Sequence, residues 1–222
     1  MEPDHQRIAD LNQRYAALSV GERLRQIYCD FDADKILVTS SFAATSAYFL
    51  HLVARVCPQQ AIHFVDTGFH FAETLHHRRQ LAELLGLTVV SVRSEEWKFR
   101  FTVDDQTYLR DPDFCCLVNK VEPLEAIKPN FQLWMSSLMR WQTDHRAALP
   151  MFEWRRGIIK FNPLIDVTQQ EQDRHIRDYQ LPVHPLVERG YSSIGCIHCT
   201  APGSGRTGRW SGKPKVECGL HL

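Results

Sequence analysis

The sequence predicts an α/β protein: a parallel sheet with helices on both faces, followed by a flexible C-terminal tail. Three observations carry the prediction. Short β-branched runs at 35–39, 61–65 and 87–92 alternate with helical segments, the β-α-β-α-β order of a parallel sheet. Hydrophobic residues make up 44% of 222 residues, enough for one good-sized core. The last twenty residues are basic and glycine-rich, the composition of a segment that can fold over a ligand.

Taken in order, residues 5–31 place Ile8, Leu11, Tyr15, Leu18, Leu24, Ile27 and Tyr28 at helical spacing, with a break near Ser19 to Gly21, so two short helices are expected. Cys29 lies on this apolar stretch and is expected in the core. Strand 35–39 runs into Ser40-Ser41-Phe42-Ala43-Ala44-Thr45-Ser46 and then the helix 47–56. Such a turn can hold a phosphate or adenylate on helix N–H groups, although from these residues alone an ordinary βα turn is favoured. Strand 61–65 ends in Asp66-Thr67-Gly68 and is followed by a helix over 73–85. Cys57, before Pro58, has no evident partner. Residues 93–114 lose all period and read as an irregular surface segment. A short helix at 121–127, a fourth strand at 132–136, a polar loop with Arg140, Gln142 and Arg146, and a fifth strand at 157–161 follow. Asp166 or Thr168 can cap a helix through about Asp178, whose charges read as a solvated face. From His184 onward the chain reads as loop.

The 26 basic and 26 acidic residues balance, so no global field steers the chain to nucleic acid or to a membrane surface. The N-terminus is acidic with no apolar run behind it, and no stretch approaches a membrane span. Seven cysteines without secretory features point to the cytoplasm, and to ligands or catalysts over disulfides.

Four of those cysteines form two tight pairs, Cys115-Cys116 and Cys196-x-x-Cys199. Adjacent cysteines point apart in most backbones, so they suit a cluster with several iron corners better than one zinc ion. Four thiolates match a [4Fe–4S] centre in number. Zinc and a redox disulfide remain alternatives. Cys218, fifth from the end, stands outside both pairs. Arg206, Arg209, Lys213, Lys215 and His221 are near it in sequence and favour a thiolate, while Glu217 opposes them.

These residues resemble the assimilatory sulfonucleotide reductases, from about Lys35 to the C-terminus. The terminal Glu217-Cys218-Gly219-Leu220-His221 is similar to the family's catalytic signature. Asp66-Thr67-Gly68 with Glu73-Thr74 resembles its Asp-Thr-Gly…Pro-Glu-Thr segment, with Ala72 in place of proline. Cys115-Cys116 with Lys120, Pro123 and Leu124 resembles the first cysteine pair. The run Gly190-Tyr191-Ser192-Ser193-Ile194-Gly195-Cys196 with Cys199-Thr200 resembles the second. The resemblance implies an adenine-nucleotide α-hydrolase-like (Rossmann-like) fold, with a nucleotide-binding domain over 1–195 and a C-terminal segment over 196–222 that acts with it. It implies that Cys218 attacks the sulfonucleotide sulfur to form S-sulfocysteine. Thioredoxin or glutaredoxin then releases sulfite, and Cys115, Cys116, Cys196 and Cys199 hold a [4Fe–4S] cluster that orders the site. Ser41, Lys120, Arg146, Arg206, Arg209 and His221 match substrate-contacting positions. A homo-oligomer is compatible with it.

Adenylyl sulfate is the expected substrate, since cluster-binding members mostly use it. Asn119-Lys120-Val121-Glu122-Pro123 and Leu50-His51-Leu52-Val53 look more like members that use the 3′-phosphorylated form, which is the alternative. A drifted, inactive adenylate-binding protein is a second alternative. Ala43 stands where the phosphate turn usually has glycine, and Ser137 and Met139 replace the glycine and first arginine of a Gly-Leu-Arg-Arg segment. If those backbones approach the nucleotide, restoring glycine at 43 or 137 is expected to lower KM.

Overall fold

The computed structural model describes residues 5–213, 215 and 217–220. Two N-terminal helices, α1 (His5–Ala16) and α2 (Val20–Asp30), form as their spacing predicts. Ser19 caps α2 in a capping box with Glu22, which is why the chain breaks there. Cys29 is exposed, not in the core. It lies off the α2 face that carries Leu24 and Ile27 inward.

The sheet is β1 (Ile36–Thr39), β2 (Ile62–Val65), β3 (Val89–Val92), β4 (Leu133–Met135), β5 (Phe152–Arg155) and β6 (Ile158–Phe161). Its order is β3-β2-β1-β4-β6-β5, parallel throughout except for the antiparallel β5. The chain moves outward from β1 to β2 and β3, then returns to place β4 on the other side of β1. The topology therefore switches between β1 and β4, where ligands bind outside the strands' carboxyl ends.

Alternation along the strands fixes two packed faces. Ile36, Val38, Leu133, Met135, Ile159 and Phe161 enter the larger core, with side chains of α1, α2 and α3 (Ser46–Val56) and Leu81 of α4 (Ala72–Leu85). Leu37, Trp134 and Ile158 point to the opposite face, where Leu124 packs on them.

Two stretches depart from expectation. Residues 93–114 contain α5 (Glu96–Asp104), α6 (Thr107–Arg110) and α7 (Pro112–Cys116). The signal was Asp111-Pro112: Asp111 accepts from the Asp113 and Phe114 amides, and Pro112 sits in the first turn. A wider π turn over Leu117–Val121 then leads into α8 (Glu122–Ile127), lengthening the helix expected there. The second departure is β5, inside the expected polar loop, which also holds the short α9 (Asp144–Ala147). Arg156 and Gly157, both at positive φ, turn β5 into β6, and Asn12 of α1 bonds both the N–H and the carbonyl of Phe152.

Helix α10 (Gln169–Asp178) is capped by Thr168 in a second capping box, with Glu171. The glycine-rich stretch beyond is not a flexible spacer. A Cβ on Gly208 would lie 2.0 Å from the Ala201 carbonyl oxygen, and one on Gly203 2.8 Å from the Gly208 nitrogen, so these glycines allow close-packed turns. Cys196 bridges His70, tying the segment to the sheet domain, and Thr200 bridges Arg209 within the segment.

Candidate active site

A cleft of about 800 Å³ opens at the carboxyl ends of β1 and β4. Ser41, Lys120, Arg146, Arg206, Arg209 and Cys218 all line it, so the structure gathers the described residues singled out by sequence from widely separated parts of the chain. His221 lies outside the described residues.

The floor is the turn after β1. Ser40 Oγ accepts the Phe42 N–H at 3.1 Å, and Phe42 takes φ +50 while fully buried, edge-on to Phe64 at 5.7 Å. The left-handed residue is therefore Phe42, not Ala43. Ala43 and Ser137 both line the cleft but neither has positive φ, and Met139 is buried in the core with its N–H bonded to Gln142. The conformational reason for expecting glycine at 43 and 137 does not hold. Thr45 provides no side-chain cap for α3, and Thr45 and Ser46 line the cleft at that helix start.

One wall carries the tail. Arg146 grips Glu217 with two bonds, Nε to Oε1 at 2.7 Å and a terminal nitrogen to Oε2 at 2.9 Å. Arg206 reaches Oε2 at 3.2 Å and Thr143 Oγ1 donates to Oε1 at 3.0 Å. Burial would raise the Glu217 carboxyl, but the hydrogen bonds and charge of Arg146, then Arg206, hold it below its ordinary value. Gly219 follows, with room for a Cβ only 3.0 Å from Val121, and Leu220 packs on the cluster of Leu37, Leu124 and Trp134. Cys218, half-buried between these anchors, is held at the cleft. Glu217 was the residue the sequence reading undervalued, since proximity in sequence suggested it opposed Cys218.

Lys120 joins the cleft to a second, smaller pocket. Burial alone would lower its ammonium, but Cys196, Cys116 and Cys218 around it hold it above its ordinary value. That second pocket is lined by Cys115, Cys116, Cys196 and Cys199, all of them free thiols. Burial pushes the Cys115 thiol up to about 11, helped by the neighbouring Cys116. Thr67 Oγ1 lies 3.3 Å from Cys196 Sγ, and Asn119 Nδ2 3.7 Å from Cys115 Sγ. Phe69, Tyr108 and His198 cover the pocket, with Tyr108 stacked on His198 at 3.8 Å. Among the described residues no group of three His, Cys, Asp or Glu side chains stands placed for a single metal ion.

The Asp66-Thr67-Gly68 turn supports both pockets. Asp66 accepts from the Gly68 N–H and from Arg93, whose bonds outweigh burial and hold its carboxyl low. Gly68 has φ +73, and a Cβ there would lie 2.5 Å from the Phe99 ring. Gly195 plays a similar part for Arg209: a Cβ would lie 2.4 Å from the guanidinium, which stacks on Trp210 at 4.3 Å.

The family described as "Phosphoadenosine phosphosulfate reductase domain" matches residues 35–202. The chain is 39% identical over 220 residues to an adenosine 5′-phosphosulfate reductase of Mesorhizobium japonicum, covering 96% of this chain and 87% of that protein. It is 37% identical over 199 residues to a phosphoadenosine 5′-phosphosulfate reductase of Gloeobacter violaceus, covering 85% and 83%. Among solved structures it is similar to a phosphoadenylyl-sulfate reductase of Candida auris in a phosphate complex, with TM-score 0.76, 26% identity and coverage of 90% and 99%. A Candida glabrata FMN adenylyltransferase, at TM-score 0.57 and 11% identity over 90% of this chain and 72% of that one, shares the fold alone.

Proposed function

The chain belongs to the phosphoadenosine phosphosulfate reductase family, and from that premise we propose that it reduces adenylyl sulfate to sulfite and AMP. The observation that carries the reading is the seat of Cys218, a tail cysteine held at the cleft with Lys120 between it and the other thiols. A thiolate there attacks the sulfur of the phosphosulfate. The sulfur–oxygen bond breaks, AMP leaves with the electron pair, and Cys218 carries the sulfo group. A dithiol reductant of the thioredoxin or glutaredoxin class then attacks the Cys218 sulfur, and sulfite leaves with the electron pair. The second thiol of the reductant closes its own disulfide and frees Cys218.

Ser41, Lys120, Arg209 and His221 are the proposed contacts for the charge of the substrate, whereas Arg146 and Arg206, expected beside them, are bonded to Glu217. Adenylyl sulfate is favoured over the 3′-phosphorylated form because the Mesorhizobium japonicum relative, matched over 96% of this chain, is named for it. No helix among the described residues is long and apolar enough to cross a membrane. The cytoplasm, where thiols stay reduced, is the proposed compartment.

A [4Fe–4S] cluster on the four thiols of the smaller pocket is part of the proposal, supported by their sharing one pocket as free thiols. Burial disfavours the thiolate forms of Cys115, Cys116 and Cys199 unless a cation offsets the charge. Bound there by Cys115, Cys116, Cys196 and Cys199, the cluster would order the site and shape its field. Single replacement of any of the four is expected to lose most of the iron and sulfide and much of the activity, and full activity in an iron-free preparation would refute the assignment.

The test of function is sulfite release from each nucleotide, with thioredoxin and then glutaredoxin. Cys218→Ser is expected to abolish release while leaving bound iron unchanged, and single-turnover mass spectrometry should find the sulfo adduct on the Cys218 peptide. An adduct on Cys29 or Cys57 would sink the reading.

A further inference from the structure

The cations of the cleft are not equivalent. Arg146 and Arg206 are committed to the tail's own carboxylate, and Thr143 adds a third donor to it. The Glu217 side chain is fully buried and the Arg146 side chain 9% exposed, so the pair is shielded from the screening that weakens surface ion pairs. Among the described residues, no carboxylate lies within ion-pair distance of Lys120 or Arg209. Two cations are thus spent on holding the chain, and two face the cleft without a carboxylate.

We infer that Arg146, Arg206 and Thr143 form a receptor for Glu217, and that Glu217 is a positioning residue whose capture seats Cys218 for attack. The inference rests on the reading that Cys218 is the nucleophile. Glu217 touches neither substrate nor the reacting sulfur; it acts through the one peptide bond that separates it from Cys218. The tail is fixed on both sides of the cysteine, by the ion pairs at 217 and by Leu220 on its apolar cluster. The two fixings differ in kind. The Leu220 contact is non-directional and tolerates sliding, whereas the two-bond guanidinium–carboxylate pair sets a direction. The attack needs a fixed sulfur, and the later reduction needs the same sulfur within reach of a protein. An ionic clip meets both demands, since it can exchange its carboxylate for another anion.

The test compares the full-length protein with Glu217→Gln, Arg146→Gln and the double variant. In the absence of substrate, iodoacetamide alkylation of the Cys218 peptide is followed by mass spectrometry across pH. The high-pH plateau reports access to the sulfur, and the midpoint reports its thiolate. The plateau is expected to rise about fivefold in each single variant and no further in the double, because the two side chains act as one unit. With adenylyl sulfate, kcat is expected to fall about tenfold to a hundredfold, the scale of a misplaced reacting group, while AMP affinity of the iron-loaded protein stays within about twofold. An unchanged plateau in both single variants overturns the inference. So does a loss of AMP affinity with kcat kept, which would assign Arg146 to the nucleotide. The alkylation needs no turnover, so a wild-type protein that releases no sulfite would sink the reductase reading while the plateau still decides the clip.

Discussion

At the scale of single residues, the turn under the cleft stores a backbone conformation that its sequence does not advertise. A phenylalanine at positive φ costs on the order of 1–2 kcal/mol, and Phe42 is held there by full burial and by its contact with Phe64. Ala43, one residue on, needs no such freedom. Ala43→Gly is therefore expected to lose about 0.4–1 kcal/mol through unfolded-state entropy and to leave KM unchanged. Melting temperature and KM of the one variant decide it, and a clear fall in KM would restore glycine's expected role. Gly68 is the opposite case. Its φ of +73 and the Phe99 ring 2.5 Å from a would-be Cβ leave no room. Gly68→Ala is expected to destabilise by more than about 1 kcal/mol and to disturb the neighbouring Thr67 hydroxyl on Cys196. Iron retention and thermal unfolding together read out both effects.

At the scale of elements, what could be read from sequence depended on whether a signal was local. The Thr168 cap with Glu171 three residues on is a local pattern, and it starts α10 where expected. Thr168→Ala should cost about 1 kcal/mol, measured by chemical denaturation. A loss of only a few tenths would mean that packing on α3 fixes the helix instead. Strands β1, β2, β4 and β6 were legible because burial on both faces demands continuous apolar runs, and the more exposed β3 because its Val-Val-Ser-Val run is β-branched. Strand β5 was not, because Phe152-Glu153-Trp154-Arg155 is an edge strand rich in charge and its turn is Arg-Gly rather than Asn-Gly. Helices α5 to α7 hid in a similar way: their few buried residues, Thr102, Thr107 and Pro112 among them, make no apolar stripe to count. Asp111-Pro112 is the local cap signal within that aperiodic stretch. In the site, cysteine spacing announced the two pairs, and the structure puts all four in one pocket. The Glu217 clip was illegible, since Arg146 lies 71 residues from it and only the fold brings them together.

At the scale of the molecule, the response to acid follows from histidines that the site does not use. His77 on α4 and His184 beyond α10 are both fully buried, with ring centroids 5.0 Å apart. His184 Nδ1 accepts the Leu186 N–H, which leaves Nε2 to donate to Thr74 Oγ1 at 3.0 Å, so this ring is bonded as the neutral tautomer. Burial pushes both rings down to about 4, and for His77 the neighbouring His184 adds to it. In an unfolded chain each would titrate near 6.5. Between about pH 6.5 and 4 the unfolded state therefore binds protons that the folded state refuses, and stability falls as pH falls through that window. Each histidine contributes a slope of at most about 1.4 kcal/mol per pH unit, and the two slopes add while both rings stay neutral in the fold. The carboxylates of Glu217, Asp66 and Asp166 are held below their ordinary values by arginines. Their stability is kept above the ordinary carboxylate range and lost only at lower pH, so the two windows separate. His77→Phe keeps a ring against His184 and removes one proton site. Unfolding free energies measured from pH 7.5 to 4.5 should show a shallower decline for this variant than for the wild type. Equal slopes would mean that the acid response comes from other groups, among them His70 and His175, which burial also pushes down to about 4.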